Sequence, residues 1–98
     1  MYARVATFVG GNVEELRRVN EAAVDSGALE LPNGLRSAMM LQGDGHRLFI
    51  TMFDSREQID AAEARFAQMG EEIPEEIRGR RTALDVYEVV WSREAQKV

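Results

Sequence analysis

The chain has 98 residues, 45% hydrophobic and 30% charged, with a formal net charge of −5, one His and no Cys. That length makes one domain with a small core, and no apolar run approaches the roughly 20 residues a membrane helix needs. The lack of Cys excludes disulfides, thiolate catalysis and Cys-ligated zinc, and the acidic balance argues against general nucleic-acid binding, which needs a basic face to displace counterions.

Met1-Tyr2-Ala3-Arg4 opens straight into a strand pattern rather than a signal peptide, so a cytoplasmic protein is expected. The first strand spans Tyr2–Val9, with Arg4 and Thr7 as polar intrusions, and Gly10-Gly11-Asn12 ends it. Asn12 is a good N-cap, and Glu15 three residues on has capping-box spacing. The first helix then runs to about Ser26 with Leu16, Val19 and Ala23 as its apolar stripe, and Gly27 is placed to stop it. Residues 28–34 read as a loop turning at Pro32-Asn33-Gly34.

Leu35–Gln42 and residues 46–53 form a hairpin around Gly43-Asp44-Gly45. The second of these strands is apolar on both faces, as for a central strand covered on both sides. Asp54 and Ser55 offer the next N-cap. The helix that follows carries Ile59, Ala62, Phe66 and Met69 on one stripe, with Gly70 as its expected end. A charged connection over 71–81 contains Pro74-Glu75-Glu76, a start for one extra helical turn. Residues 82–91 are the last strand, with Leu84, Val86 and Val90 on one face and Ala83, Tyr87, Val89 and Trp91 on the other. Residues 92–98 read as a loose tail of the single domain 1–98.

The order strand-helix-strand therefore occurs twice. It predicts an α+β fold: a ferredoxin-like split βαβ (βαββαβ), a four-stranded antiparallel sheet with two helices on one face. Tyr87, Val89, Trp91, Met39, Leu41, Phe49 and Phe53 exceed what two helices can hide. An apolar sheet face of that size calls for a two-fold partner, so a homodimer with sheets packed face to face is expected.

Few residues carry chemistry. His46, beside the hairpin turn, is either a base at a pocket mouth or a solvated edge residue. Arg4 either holds an anionic or carbonyl group of a ligand or pairs with a cross-strand acid such as Asp85 or Glu88. Tyr87 and Trp91 either clamp a flat ligand or form dimer core. Met39, Met40, Met52 and Met69 either line an adaptable pocket or fill core. Glu71-Glu72 with Glu75-Glu76 is a solvated charged loop rather than a metal site, and Arg78, Arg80 and Arg81 are too few to bind nucleic acid. Because the helix stripes are aliphatic and aromatic, a pocket's polar groups are expected from strand positions. A pocket of about 300 Å3 or more, with Arg4, His46 or Tyr87 converging on it, would separate a ligand-handling protein from a plain module.

The stretch from Leu48-Phe49-Ile50-Thr51-Met52-Phe53-Asp54-Ser55 through Arg56-Glu57-Gln58-Ile59-Asp60-Ala61-Ala62, with the closing Asp85-Val86-Tyr87-Glu88-Val89, resembles the dimeric α+β barrel superfamily and its antibiotic-biosynthesis-monooxygenase-like domains. The resemblance spans residues 1–91 and rests on caps and core positions. It implies a small-molecule-binding protein or cofactor-independent monooxygenase acting on an apolar or aromatic ligand; the alternative is a non-catalytic dimerisation or ligand-sensing module. Phe53 joins Arg4, His46 and Tyr87 as a substrate-binding candidate, because many relatives place a Trp there. Such relatives also carry a His about two turns into the second helix, where this chain reads Ala61-Ala62-Glu63. Haem-degrading relatives use an Asn on the first strand, where this chain has Arg4. No metal, haem or other cofactor is therefore expected, no membrane, and no partner beyond a second copy and a small ligand.

Overall fold

The computed structural model describes residues 1–26 and 32–93. The elements are β1 (Tyr2–Val9), α1 (Val13–Asp25), β2 (Leu35–Gln42), β3 (Arg47–Phe53), α2 (Arg56–Glu72), α3 (Glu75–Arg78) and β4 (Arg80–Glu88). The four strands form one antiparallel sheet in the order β2-β3-β1-β4. This α+β arrangement is consistent with the ferredoxin-like split βαβ.

The strand register sorts the side chains into two faces. Partners across an antiparallel ladder share a face, and alternate residues along a strand swap faces. One face, inner because the helices lie on it, has four rows across the strands. These are Leu35–Phe53–Tyr2–Glu88, Ala38–Thr51–Arg4–Val86, Met40–Phe49–Ala6–Leu84 and Gln42–Arg47–Phe8–Arg81. The outer face reads Ser37–Met52–Ala3–Tyr87, Met39–Ile50–Val5–Asp85 and Leu41–Leu48–Thr7–Ala83.

The dry core lies at the first two inner rows. Phe53, Ile59 and Ala62 are buried there, with Tyr2, Leu35, Phe66 and Val86 against them. Phe66 meets Phe53 edge-on at 6.2 Å and Phe49 edge-on at 6.5 Å between ring centres, the arrangement the ring quadrupoles favour. The α2 start is fixed by a reciprocal cap. The Ser55 hydroxyl accepts from the Gln58 backbone N–H at 3.2 Å, and the Gln58 side-chain oxygen accepts from the Ser55 N–H at 3.1 Å.

Several boundaries differ from the sequence reading. Gly70 does not end α2, which continues to Glu72 and stops at Ile73. Ile73 precedes Pro74, and a residue before proline is pushed out of the helical region; its φ of −108° and ψ of 125° are extended. The capping box expected at α1 closes only halfway. Asn12 Oδ1 accepts from Glu15 N–H at 3.1 Å, but the Asn12 N–H donates to the Ile77 carbonyl at 2.9 Å. The last strand begins at Arg80 and ends at Glu88, opposite Tyr2; just past it the Val89 N–H donates to the Met1 carbonyl at 2.9 Å. Trp91, 79% exposed, and Val90 thus lie past the strand rather than on its faces. Phe49 and Phe53 turn inward, leaving Met39, Leu41 and Tyr87 on the outer face. Gly27, most of the 28–34 loop and residues 94–98 of the expected tail lie outside the described residues.

Two turns pack backbone to backbone. A Cβ on Gly11 would lie 2.6 Å from the Ile77 carbonyl oxygen, and one on Gly79 would lie 2.6 Å from that of Val9. Both glycines have positive φ, 83° and 75°. Only glycine combines that conformation with so close an approach.

Candidate functional site: a cavity under the helices

Between the inner face and the three helices lies a cavity of about 360 Å3. Met40 and Phe49 of the third inner row and Phe8 of the fourth form its floor. Leu16 and Asn20 of α1 and Phe66 and Met69 of α2 form its roof. Leu16 is the buried residue of α1, while Val19 of the expected stripe is exposed. The helix spans a hollow there instead of packing onto the sheet, and this makes the cavity possible.

Four arginines line the space: Arg4, Arg47, Arg78 and Arg81. They are not equivalent. Arg4 is 3% exposed and is matched by Glu63 of α2, with Nε donating to Oε1 at 2.5 Å and Nη2 to Oε2 at 3.3 Å. Its guanidinium carbon also sits 4.3 Å from the Phe66 ring centre, a cation–π contact. The acids expected to pair with Arg4 do not. Asp85 stands opposite Val5 and so belongs to the outer face, and Glu88 stands opposite Tyr2. The alternation that puts Arg4 inward excludes Asp85.

Arg47 is 4% exposed and has no acid within ion-pair distance among the described residues. Its Nη1 donates to the Gly10 carbonyl at 3.4 Å and its Nη2 to the Arg78 carbonyl, so it ties together the two closely packed turns. Burial pushes its pKa below the usual arginine value, because desolvation penalises the charged form and no carboxylate offsets it. Arg78 donates to the Ile73 carbonyl at 3.1 Å and the Gly79 carbonyl at 3.2 Å. Arg81, opposite Phe8, is exposed. One end of the cavity therefore holds three guanidiniums unmatched by an ion pair among the described residues, while Glu71 on the wall makes no ion pair either.

The four residues singled out from the sequence do not converge. Arg4 lines the cavity. Phe53, fully buried, packs with Ile59 and Ala62 outside the lining. His46 is exposed at the hairpin, with Nδ1 3.1 Å from the Asp44 carbonyl. Tyr87, 56% exposed, is on the outer face. Nor are the polar groups confined to strands: Asn20, Glu71 and Arg78 of the lining come from helices, as does Glu63, which pairs with Arg4 from outside it. Arg47 was missed although its parity with Phe49, Thr51 and Phe53 was readable, because a basic residue at a hairpin end reads as solvated.

Chemically, the lining offers ring and thioether surface, guanidinium donors and one carboxylate, Glu71. The described lining contains no Ser, Thr, Cys, His or Tyr to act as nucleophile. Among the described residues no group of three or more His, Asp or Glu could hold a metal ion, and no helix is long and apolar enough to cross a membrane. The chain matches no protein-family model, and no curated protein matches it in sequence.

Proposed function

We propose that this protein binds a flat, apolar or aromatic small molecule in the cavity under its helices, in the manner of cofactor-independent monooxygenases of the antibiotic-biosynthesis type. We further propose that it works as a homodimer closed into a dimeric α+β barrel. The observation that carries the ligand reading is the cavity of about 360 Å3 walled by Phe8, Phe49, Phe66, Met40 and Met69. That volume falls in the range of small-molecule sites, and rings with a few fixed polar groups are their usual lining. The dimer reading rests on the outer face, where Val5, Leu48, Ile50 and Met52 lie between exposed Met39, Leu41 and Tyr87. A second copy offers the matching surface.

With no nucleophile in its described lining, the chain's own part is to orient a substrate and exclude water. Oxygenation in this setting needs a substrate that itself delivers electrons to oxygen. The alternative, a non-catalytic ligand-sensing module, is favoured by the same lining. Titration with naphthamide, a neutral probe, should shift the methyl NMR signals of Met40 and Met69 and leave that of outer-face Met39 in place. No shift up to the solubility of the probe overturns the cavity reading. Oxygen uptake with a dihydroxynaphthalene, faster than its autoxidation, would select the enzyme; binding without uptake would select the sensor.

A further inference from the structure

We propose that the arginine end of the cavity is an oxyanion subsite, so that the ligand is an aromatic acid whose carboxylate or phosphate sits among Arg47, Arg78 and Arg81. This rests on the reading of the cavity as a ligand site and specifies what the ligand must carry.

The argument starts from charge. The chain as a whole is acidic, at −5, yet the cavity lining holds four arginines and one glutamate. Arg4 shows how this fold neutralises a buried guanidinium: a forked carboxylate, Glu63, descends from α2. Two rows further along the sheet, Arg47 is equally buried, donates only to carbonyl oxygens and has its guanidinium carbon 5.5 Å from the Phe8 ring centre. The carbonyls and the ring face engage part of the guanidinium but do not cancel its charge, and a buried cation without a counter-ion is costly. Its neighbours add to the charge. The Arg78 carbonyl accepts from Arg47, while the Arg78 side chain itself lines the cavity. Arg81 shares the cross-sheet row with Arg47, one strand beyond Phe8.

The donors also remain open. Among the described residues, Arg47 Nε and Arg78 Nη2 have no hydrogen-bond partner, and Arg81 makes no ion pair. Guanidinium groups bind carboxylate and phosphate with charge-assisted forked bonds. The rest of the ligand would then run toward Arg4, the fourth arginine, over Phe49 and Phe66. Arg4 is already paired, so that end suits a neutral ring.

The test compares three probes of one shape: naphthoate, naphthyl phosphate and neutral naphthamide, titrated against the intact chain with Met40 and Met69 methyl signals as the readout. At least one acid should bind about tenfold or more tightly than naphthamide, a gap of about 1.4 kcal/mol, and the tighter acid identifies the headgroup. Arg47→Gln also unpins two turns, so the deciding variant is Arg81→Gln, whose exposed side chain can be lost without unfolding. Arg81→Gln should weaken the acid by about tenfold and naphthamide by less than about twofold, with an unchanged melting temperature. If both acids bind no better than naphthamide, or Arg81→Gln weakens all three alike, the oxyanion subsite is wrong while the aromatic cavity stands. If no probe moves the methyl signals, both readings fall.

Discussion

The helix-covered face of this sheet carries more charge than the open face. The inner face, covered by α1 and α2, carries Arg4, Arg47 and Arg81, whereas the outer face, which no described helix covers, carries Val5, Leu48, Ile50, Met52, Met39 and Leu41. A strand residue is selected for what it meets, not for the side it is on. Half of the inner face meets α2 in a dry core at Phe53 and Ile59; the other half meets a cavity and can keep charge there. The outer face is apolar but half-open, as a surface awaiting a partner is.

The sharpest way to test that contrast is to truncate equally large aromatics on opposite faces. Phe53→Ala should cost about 4 kcal/mol of stability in urea unfolding, because a fully buried ring leaves a cavity. Tyr87→Ala, on the exposed outer face, should change the unfolding of a dilute sample far less. Equal costs would mean that the outer face is as tightly packed as the inner one.

Assembly is the next test. At micromolar concentration, sedimentation should give about twice the 11.0 kDa chain mass. Leu48→Asp should halve it, since a buried carboxylate without a partner would oppose the interface. A wild-type monomer at that concentration would remove the barrel reading and leave the outer face unexplained.

A smaller effect separates the partners of the inner ion pair. Glu63→Leu strands the Arg4 guanidinium, 4% exposed at its side chain, and should cost about 3 kcal/mol. Arg4→Met leaves Glu63, 37% exposed, free to rehydrate, and should cost about 1 kcal/mol. The reverse order would show that Arg4 acts through packing on Phe66 rather than through charge. Least of all should come from Arg36, which pairs with Asp54 at 2.7 Å on the surface and whose pKa is raised by that hydrogen bond. Arg36→Gln should leave the urea midpoint unchanged, and a measurable shift would mean that this surface is covered in solution.

Local signals determined most of the architecture. The alternation in Tyr2–Val9, the two helical stripes, the Ser55 cap and the Gly43-Asp44-Gly45 hairpin each act over a few residues, so their elements and approximate bounds were readable directly. Arg4 was readable as a buried cation for the same reason, being a lone charge in an alternating row. Its partner was not, because Glu63 lies 59 residues away and only the helix-on-sheet packing brings it over. The same holds for the cavity. Whether α1 packs down or spans a hollow depends on the height set by α2, α3 and the Gly11–Gly79 contact, none of which is local. Register alone decided that Phe49, Phe53 and Arg47 face inward while Asp85 and Tyr87 face out: a shift of one residue would exchange every one of them.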